Sequence, residues 1–292
     1  MTSATDRLLL WSLRLTAVLA CSIVVWILAF LLGEALPALG ALGPLRWLGD
    51  PSWHPTVGAT EGHFGLAPML LATAASSAGA VLLATPVALG SALFCHSYGP
   101  PRWSGVYRRL VQLLAGIPSV VFGFWGLVEL TPRIARWQPP GQSLLAGILI
   151  LALMILPTVS LLMESALVEL PASYRQAAAA LGLSPWASLR RVLLPAAAPG
   201  LASAVLLGSA RAIGETMAVL MVSGNVVQLP GSLFAPVRTL TANIALELGY
   251  ALDLHRSALF VGGLVLLVLV AALVAVAEGL AATSLAGGRA HG

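Results

Sequence analysis

Arg211 and Glu215 stand four residues apart in a stretch that is otherwise apolar. On a helix that spacing places both side chains on one face. A charge in lipid costs roughly 2.5–3.5 kcal/mol on insertion scales, so an intramembrane pair marks either a pathway or a tight structural ion pair. On a pathway, the guanidinium offers a planar fork of donors matched to the oxygens of an anion, and the carboxylate is its resting partner. The residues alone leave both readings open. Other candidates carry less chemistry. Glu61 and His63 are two metal-capable side chains with no third nearby and read as solvated loop residues. Glu164, Glu169 and Glu278 fall near the ends of apolar stretches, where interfacial solvation accounts for them. Cys21 and Cys95 lack a C-x-x-C or a His cluster and read as small packing residues.

The composition says what must position these groups. Of 292 residues, 59% are hydrophobic and only 9% charged, against roughly 25% charged in soluble domains. Mean hydropathy is +0.94. So few charges cannot cover a water-exposed globule of this length, so lipid is the solvent and a soluble enzyme is excluded. All 15 basic residues are arginine. Without lysine there is no P-loop and no Schiff-base chemistry, so the chain is expected to be no enzyme, with no catalytic residue, metal or cofactor of its own.

Six stretches without Asp, Glu or Arg, residues 15–33, 64–95, 110–128, 137–163, 192–210 and 257–277, are each long enough to cross a bilayer as a helix. The apolar run that follows Arg7 continues past Leu19-Ala20-Cys21 to Leu32, which favours an uncleaved first helix over a signal peptide. The run 216–237 stays apolar only to Val222, then turns to Ser, Gly, Asn and Pro, so its start reads as the outer end of span five. That span is expected to run from near Pro199 to about Val222, carrying Arg211 and Glu215. Pro86, Pro118 and Pro157 fall inside spans, and small residues crowd 72–80, as close helix packing requires. Residues 1–292 read as a single transmembrane domain with both termini on one side. If that side is cytoplasmic, nine arginines lie inside and five outside, which favours cytoplasmic termini by the positive-inside rule.

The segment 171–195 is not a span. Ser173 with Gln176 fits a capping box, Tyr174, Ala177, Ala178 and Leu181 recur at helical spacing, and Gly182 supplies a left-handed stop. Ser184 can cap a second helix with Pro185 at its first position. The first of these helices is too short to span and offers an Ala-rich face to another protein.

Gln176-Ala177-Ala178, three residues, Gly182, nine residues and Val192-x-Leu194-Pro195 resemble the E-A-A-x-x-x-G, nine residues, I-x-L-P loop of ABC-importer permeases. The departures are Gln176 for Glu and Val192 for Ile. The stretch from Leu114 to Gly123, LAGIPSVVFG, is similar to the L-A-G-I-P-S-V-x-x-G signature of phosphate-importer permeases. Arg211 to Val219, RAIGETMAV, followed by Gly224-Asn225, resembles the R-A-x-G-E-T-M-A-V stretch of the PstC type, whereas PstA-type sisters usually have Ala-Pro after Glu-Thr. Trp53-His54-Pro55 and Phe64-Gly65-Leu66-Ala67-Pro68 fit the same pattern more loosely, and Ala72 stands where a Gly is common.

The resemblance implies an all-α, six-helix permease of the MetI-like fold in the bacterial inner membrane. It implies phosphate as substrate, Arg211, Glu215 and Thr216 on the substrate pathway, and Gln176, Ala177, Ala178, Gly182 and Pro195 in the loop that couples to an ATPase. The partners it implies are a PstA-type permease, a cytoplasmic ATPase dimer and an extracytoplasmic phosphate-binding protein, with no nucleic acid. A permease for sulfate or molybdate would share the coupling loop. An ion-coupled secondary transporter would usually place several acidic groups at mid-membrane, where only Glu215 stands.

Overall fold

Small residues at every fourth position bring the central helices together. The computed structural model describes residues 4–41, 47, 49–55 and 62–289. Helix α1 (Ala4–Ala41) leads to a two-stranded antiparallel hairpin, β1 (Trp53–His54) and β2 (His63–Phe64), with Trp53 opposite Phe64 and His54 opposite His63. Helix α2 (Ala67–Leu93) follows and ends in a π-helical turn, Phe94–Tyr98. Along α2, Ala72, Ser76, Ala80, Ala84, Ala88 and Ala92 form a buried stripe that lets α2 lie close against α5 (Leu144–Val168). A Cβ on Gly79 would stand 2.7 Å from Ile148. α5 is the axle of the bundle, with 61% of its most apolar window buried, whereas none of the corresponding window of α1 is buried.

Five helices are long and apolar enough to cross a membrane, or six if one bent pair is counted as a single broken span. That pair corrects the expected straight span over 110–128. α3 (Pro101–Ala115) and α4 (Ser119–Trp125), the latter continued by a π turn to Leu130 and a last turn Thr131–Ala135, meet at 89°. Gly116 caps α3, and Pro118 opens α4 in an extended conformation. Pro86 and Pro157 sit inside unbroken helices. The residue before a proline is pushed out of the helical region, and Gly116 just upstream lowers the cost of leaving the helix there. Span four begins at Leu144 instead of 137, because Gly141 at φ +86° turns the chain and Ser143 caps the helix by accepting from the Ala146 N–H at 3.3 Å.

Beyond α5 lie α6 (Ala172–Ala180), α7 (Pro185–Ser188), a π turn Leu189–Leu193, and α8 (Leu194–Gly214). α8 packs on α5, where a Cβ on Gly208 would meet Val159 at 2.4 Å and one on Gly200 would meet Ala166 at 2.8 Å. α9 (Met217–Val222), α10 (Leu240–Glu247) and α11 (Asp253–Arg289) complete the chain. α1 rests on α11 near one end, where the Ser257 hydroxyl donates to the Glu34 carbonyl at 2.6 Å and accepts from the Ala38 N–H at 3.0 Å.

Candidate translocation and coupling sites

The expected continuous helix through Arg211 and Glu215 is not present. α8 stops at Gly214, Glu215 is extended (φ −70°, ψ 130°), and a new helix starts at Met217. Glycine is a poor helix former, and the Thr241 hydroxyl holds the break by donating to the Glu215 carbonyl at 2.8 Å. The Glu215 carboxylate turns forward to accept from the Ala218 N–H at 3.1 Å, satisfying an orphan donor at the start of α9. It does not pair with Arg211, so the expected resting ion pair is corrected. Arg211 is exposed, and no ion pair reaches it among the described residues. Thr216 borders an open hollow of about 430 Å³ lined also by Thr241, Ile244, Ala245, Leu248 and Gly249. Thr241 thus joins the hollow to the Glu215 backbone.

After α9 the Gly224-Asn225 pair turns the chain back, with both residues at positive φ (83° and 54°). A Cβ on Gly224 would stand 2.7 Å from Pro236. Asn225 caps α9 by donating Nδ2 to the Leu220 carbonyl at 2.7 Å. Its own carbonyl accepts from Arg238 Nε at 2.9 Å.

Arg238 leads to a network that sequence reasoning missed. Its Nη1 donates to Glu247 Oε1 at 2.6 Å and to Asn243 Oδ1 at 3.0 Å. Glu247 Oε2 accepts from Trp53 Nε1 at 2.7 Å, and His255 Nε2 lies 2.9 Å from the same oxygen. The Glu247 side chain is only 8% exposed, so one buried carboxylate clasps the hairpin, α10 and α11 together. Its sequence signal is a polar row, Asn243 and Glu247, on the face of α10 that also carries the buried Leu240. Nearby, His63 is not simply solvated, since its Nδ1 lies 2.7 Å from Asp50 Oδ2. A hydrogen bond from the Ser52 hydroxyl, seconded by His63, holds the Asp50 carboxyl down at about 2. Glu61 lies outside the described residues.

The opposite end carries the segment 171–195. Gly182 has φ +65°, its N–H donates to the Ala179 carbonyl at 3.0 Å, and the Leu183 N–H donates to the Ala178 carbonyl at 3.1 Å. These two bonds form the Schellman stop that the sequence predicts. Ser184 caps α7 as expected, accepting from the Ala187 N–H at 3.3 Å. The Ser173–Gln176 capping box does not form, because Pro171 takes the N-cap position and its carbonyl accepts from the Tyr174 N–H at 3.2 Å. Ala178 faces inward at 2% exposure, whereas Tyr174, Gln176, Ala177, Leu181 and Trp186 are exposed. Pro195 lies in the first turn of α8, exposed. Glu164, expected to be solvated, is buried at this end of α5 and paired with Arg108. Glu169 and Glu278 are exposed as expected.

Continuous and broken helices form a bundle with a short exposed helix pair at one end. Two solved structures share the fold. One, of the MetNI methionine ABC transporter in inward facing conformations, aligns with a TM-score of 0.59 at 20% identity, covering 73% of this chain and 93% of that one. The other, an amino acid ABC transporter with histidines, gives 0.53 at 14% identity over 74% and 91%. Residues 84–283 match the family described as binding-protein-dependent transport system inner membrane component. The phosphate transport system permease protein PstC of Mesorhizobium japonicum is 33% identical, covering 94% of this chain and 89% of that protein. The probable ABC transporter permease protein YqgH of Bacillus subtilis is 38% identical over 86% and 82%, and PstC 1 of Mycobacterium tuberculosis is 34% identical over 74% and 75%. The chain belongs to the family of binding-protein-dependent transport inner membrane components, and within it to the PstC-type permeases.

Proposed function

We propose that the chain is the permease subunit of an ATP-driven phosphate importer, forming half of the translocation path. The observation that carries this reading is Arg211, an exposed arginine without an ion pair among the described residues, in the last turn of an apolar span. The chain that bears it is 33% identical to a phosphate permease over 94% of its length. A free guanidinium fork suits a ligand rich in oxygens and carrying one to two negative charges. Thr216 borders the adjoining hollow, and Glu215, bound to backbone instead of Arg211, leaves that fork open. In this reading Gln176, Ala177, Ala178, Gly182 and Pro195 hold the docking surface for a partner ATPase, which supplies the hydrolysis. A PstA-type permease forms the other half of the path, an extracytoplasmic binding protein delivers phosphate, and the chain carries no cofactor.

Proteoliposomes holding the complete complex, its binding protein and internal ATP test the substrate. Uptake of labelled phosphate that excess sulfate or molybdate does not suppress is expected. Uptake of sulfate or molybdate with phosphate excluded overturns the assignment. In the proposed orientation 171–195 and both termini lie in the cytoplasm. A single Cys at Ser232 should then react with an impermeant reagent in whole cells while one at Ser188 does not, and the reverse pattern refutes it.

A further inference from the structure

The bend at Gly116–Pro118 gives α3 surroundings unlike those of any span. α4 runs on through Ala135 beside α5 and α9, and α3 stands at 89° to it. α3 therefore turns sharply away from the axis of α4. It crosses the end of α5 that adjoins α6, where Arg108 binds the buried Glu164. Around its axis the sequence divides into three faces. Ser104, Tyr107 and Val111 face the bundle, with the Tyr107 ring edge-on to Phe94 at 5.5 Å. Trp103, Val106, Leu110, Leu113 and Leu114 form a second face of large apolar side chains, between 43% and 69% exposed. Arg102, Gly105, Arg109 and Gln112 form a third, exposed and polar, and neither Arg102 nor Arg109 joins an ion pair among the described residues.

An apolar face beside a cationic one, with a tryptophan near the border, is what a helix needs to lie in the boundary of a bilayer. We propose that α3 lies in the leaflet on the α6 side of the membrane, with Trp103, Val106, Leu110 and Leu113 in the acyl chains and Arg102 and Arg109 bound to the phosphates of anionic phospholipid. The occupant is lipid because the exposed apolar face is continuous with a membrane-spanning bundle and is edged by arginines that no ion pair neutralises among the described residues. The helix then acts as a lipid-facing brace on the Arg108–Glu164 contact, next to the coupling segment.

The test uses the full chain in the complex it forms in membranes, in a Cys21→Ala, Cys95→Ala background, placed in nanodiscs of phosphatidylcholine with or without phosphatidylglycerol. Fluorophores on Val106→Cys and Leu113→Cys should be quenched by lipids brominated along the acyl chain. Those on Gly105→Cys and Gln112→Cys should instead respond to aqueous quenchers. A Cβ at Gly105 meets nothing within 4 Å, so that variant adds no strain. Phosphatidylglycerol retained by the complex, counted by native mass spectrometry, should fall about fivefold for each of Arg102→Gln and Arg109→Gln, with phosphatidylcholine unchanged and the complex still assembled. Unquenched labels at Val106 and Leu113, shielded by a protein neighbour, overturn the proposal. So does undiminished phosphatidylglycerol in the Arg102→Gln, Arg109→Gln double variant.

Discussion

The two ends of the bundle handle charge in opposite ways. At the end bearing Trp53, Arg238, Glu247 and His255, charges are consumed internally: one buried carboxylate binds three side chains from the hairpin, the loop before α10 and α11. At the α6 end Arg108 and Glu164 form the only ion pair among the described residues, and Arg175, Arg190 and Arg191 stay exposed beside Leu181 and Trp186. The first arrangement closes a surface upon itself, and the second leaves one open for a partner. Arg211 departs from both, an exposed charge in a span that neither network neutralises.

The largest effect that would sharpen this contrast is at the closed end. Glu247→Ala strands Arg238 and the Trp53 N–H in a site where the arginine side chain is only 19% exposed, which should cost about 3–5 kcal/mol. A matching fall in thermal stability of the purified chain is expected, and a loss below 1 kcal/mol would show that water reaches the cluster. The open end should respond differently. Gly182→Val forces a β-branched residue to φ +65° where there is steric room for a Cβ, so its cost is backbone strain of about 1–2 kcal/mol. The bundle should insert and melt nearly normally while ATP hydrolysis stimulated by loaded binding protein falls. Unchanged stimulation would count against the coupling role.

Thr241→Val removes the bond to the Glu215 carbonyl and should lower stability by about 1 kcal/mol, measured by the same melt. If stability is unchanged, the break between α8 and α9 is set by Gly214 alone. The smallest effect is the pH response of the hairpin. Because the folded Asp50 carboxyl titrates at about 2 instead of near 3.8, its contribution is present above pH 4 and fades as pH falls from 4 toward 2. Trp53 fluorescence should report loosening over that window. The Asp50→Asn variant should lack this step, and a step that persists in it would assign the transition to another group.

What was legible in the sequence follows the same division. Gly182 and Ser184 were readable because a left-handed stop and an N-cap are decided within a few residues. The break at Gly214–Thr216 was not, since the hydroxyl that holds it comes from Thr241, 26 positions away. Pro118 looked like Pro86 and Pro157, and only Gly116 beside it distinguished a broken span from an uninterrupted one. Spacing put Arg211 and Glu215 on one face, yet the chain leaves the helix between them. Glu247 went unread because its partners gather from Trp53, Arg238 and His255 only after folding.

In the proposed function Arg211 serves the anion and not the fold. Arg211→Ala and Arg211→Lys, purified in the complete complex, should melt within about 0.5 kcal/mol of the parent, because an exposed residue without a partner contributes little. Uptake of labelled phosphate in proteoliposomes, measured beside complex assembly, is the direct test. Uptake should be abolished in Arg211→Ala and strongly reduced in Arg211→Lys, which keeps the charge but not the fork, with assembly intact in both. Phosphate uptake by Arg211→Ala within twofold of the parent would contradict that role.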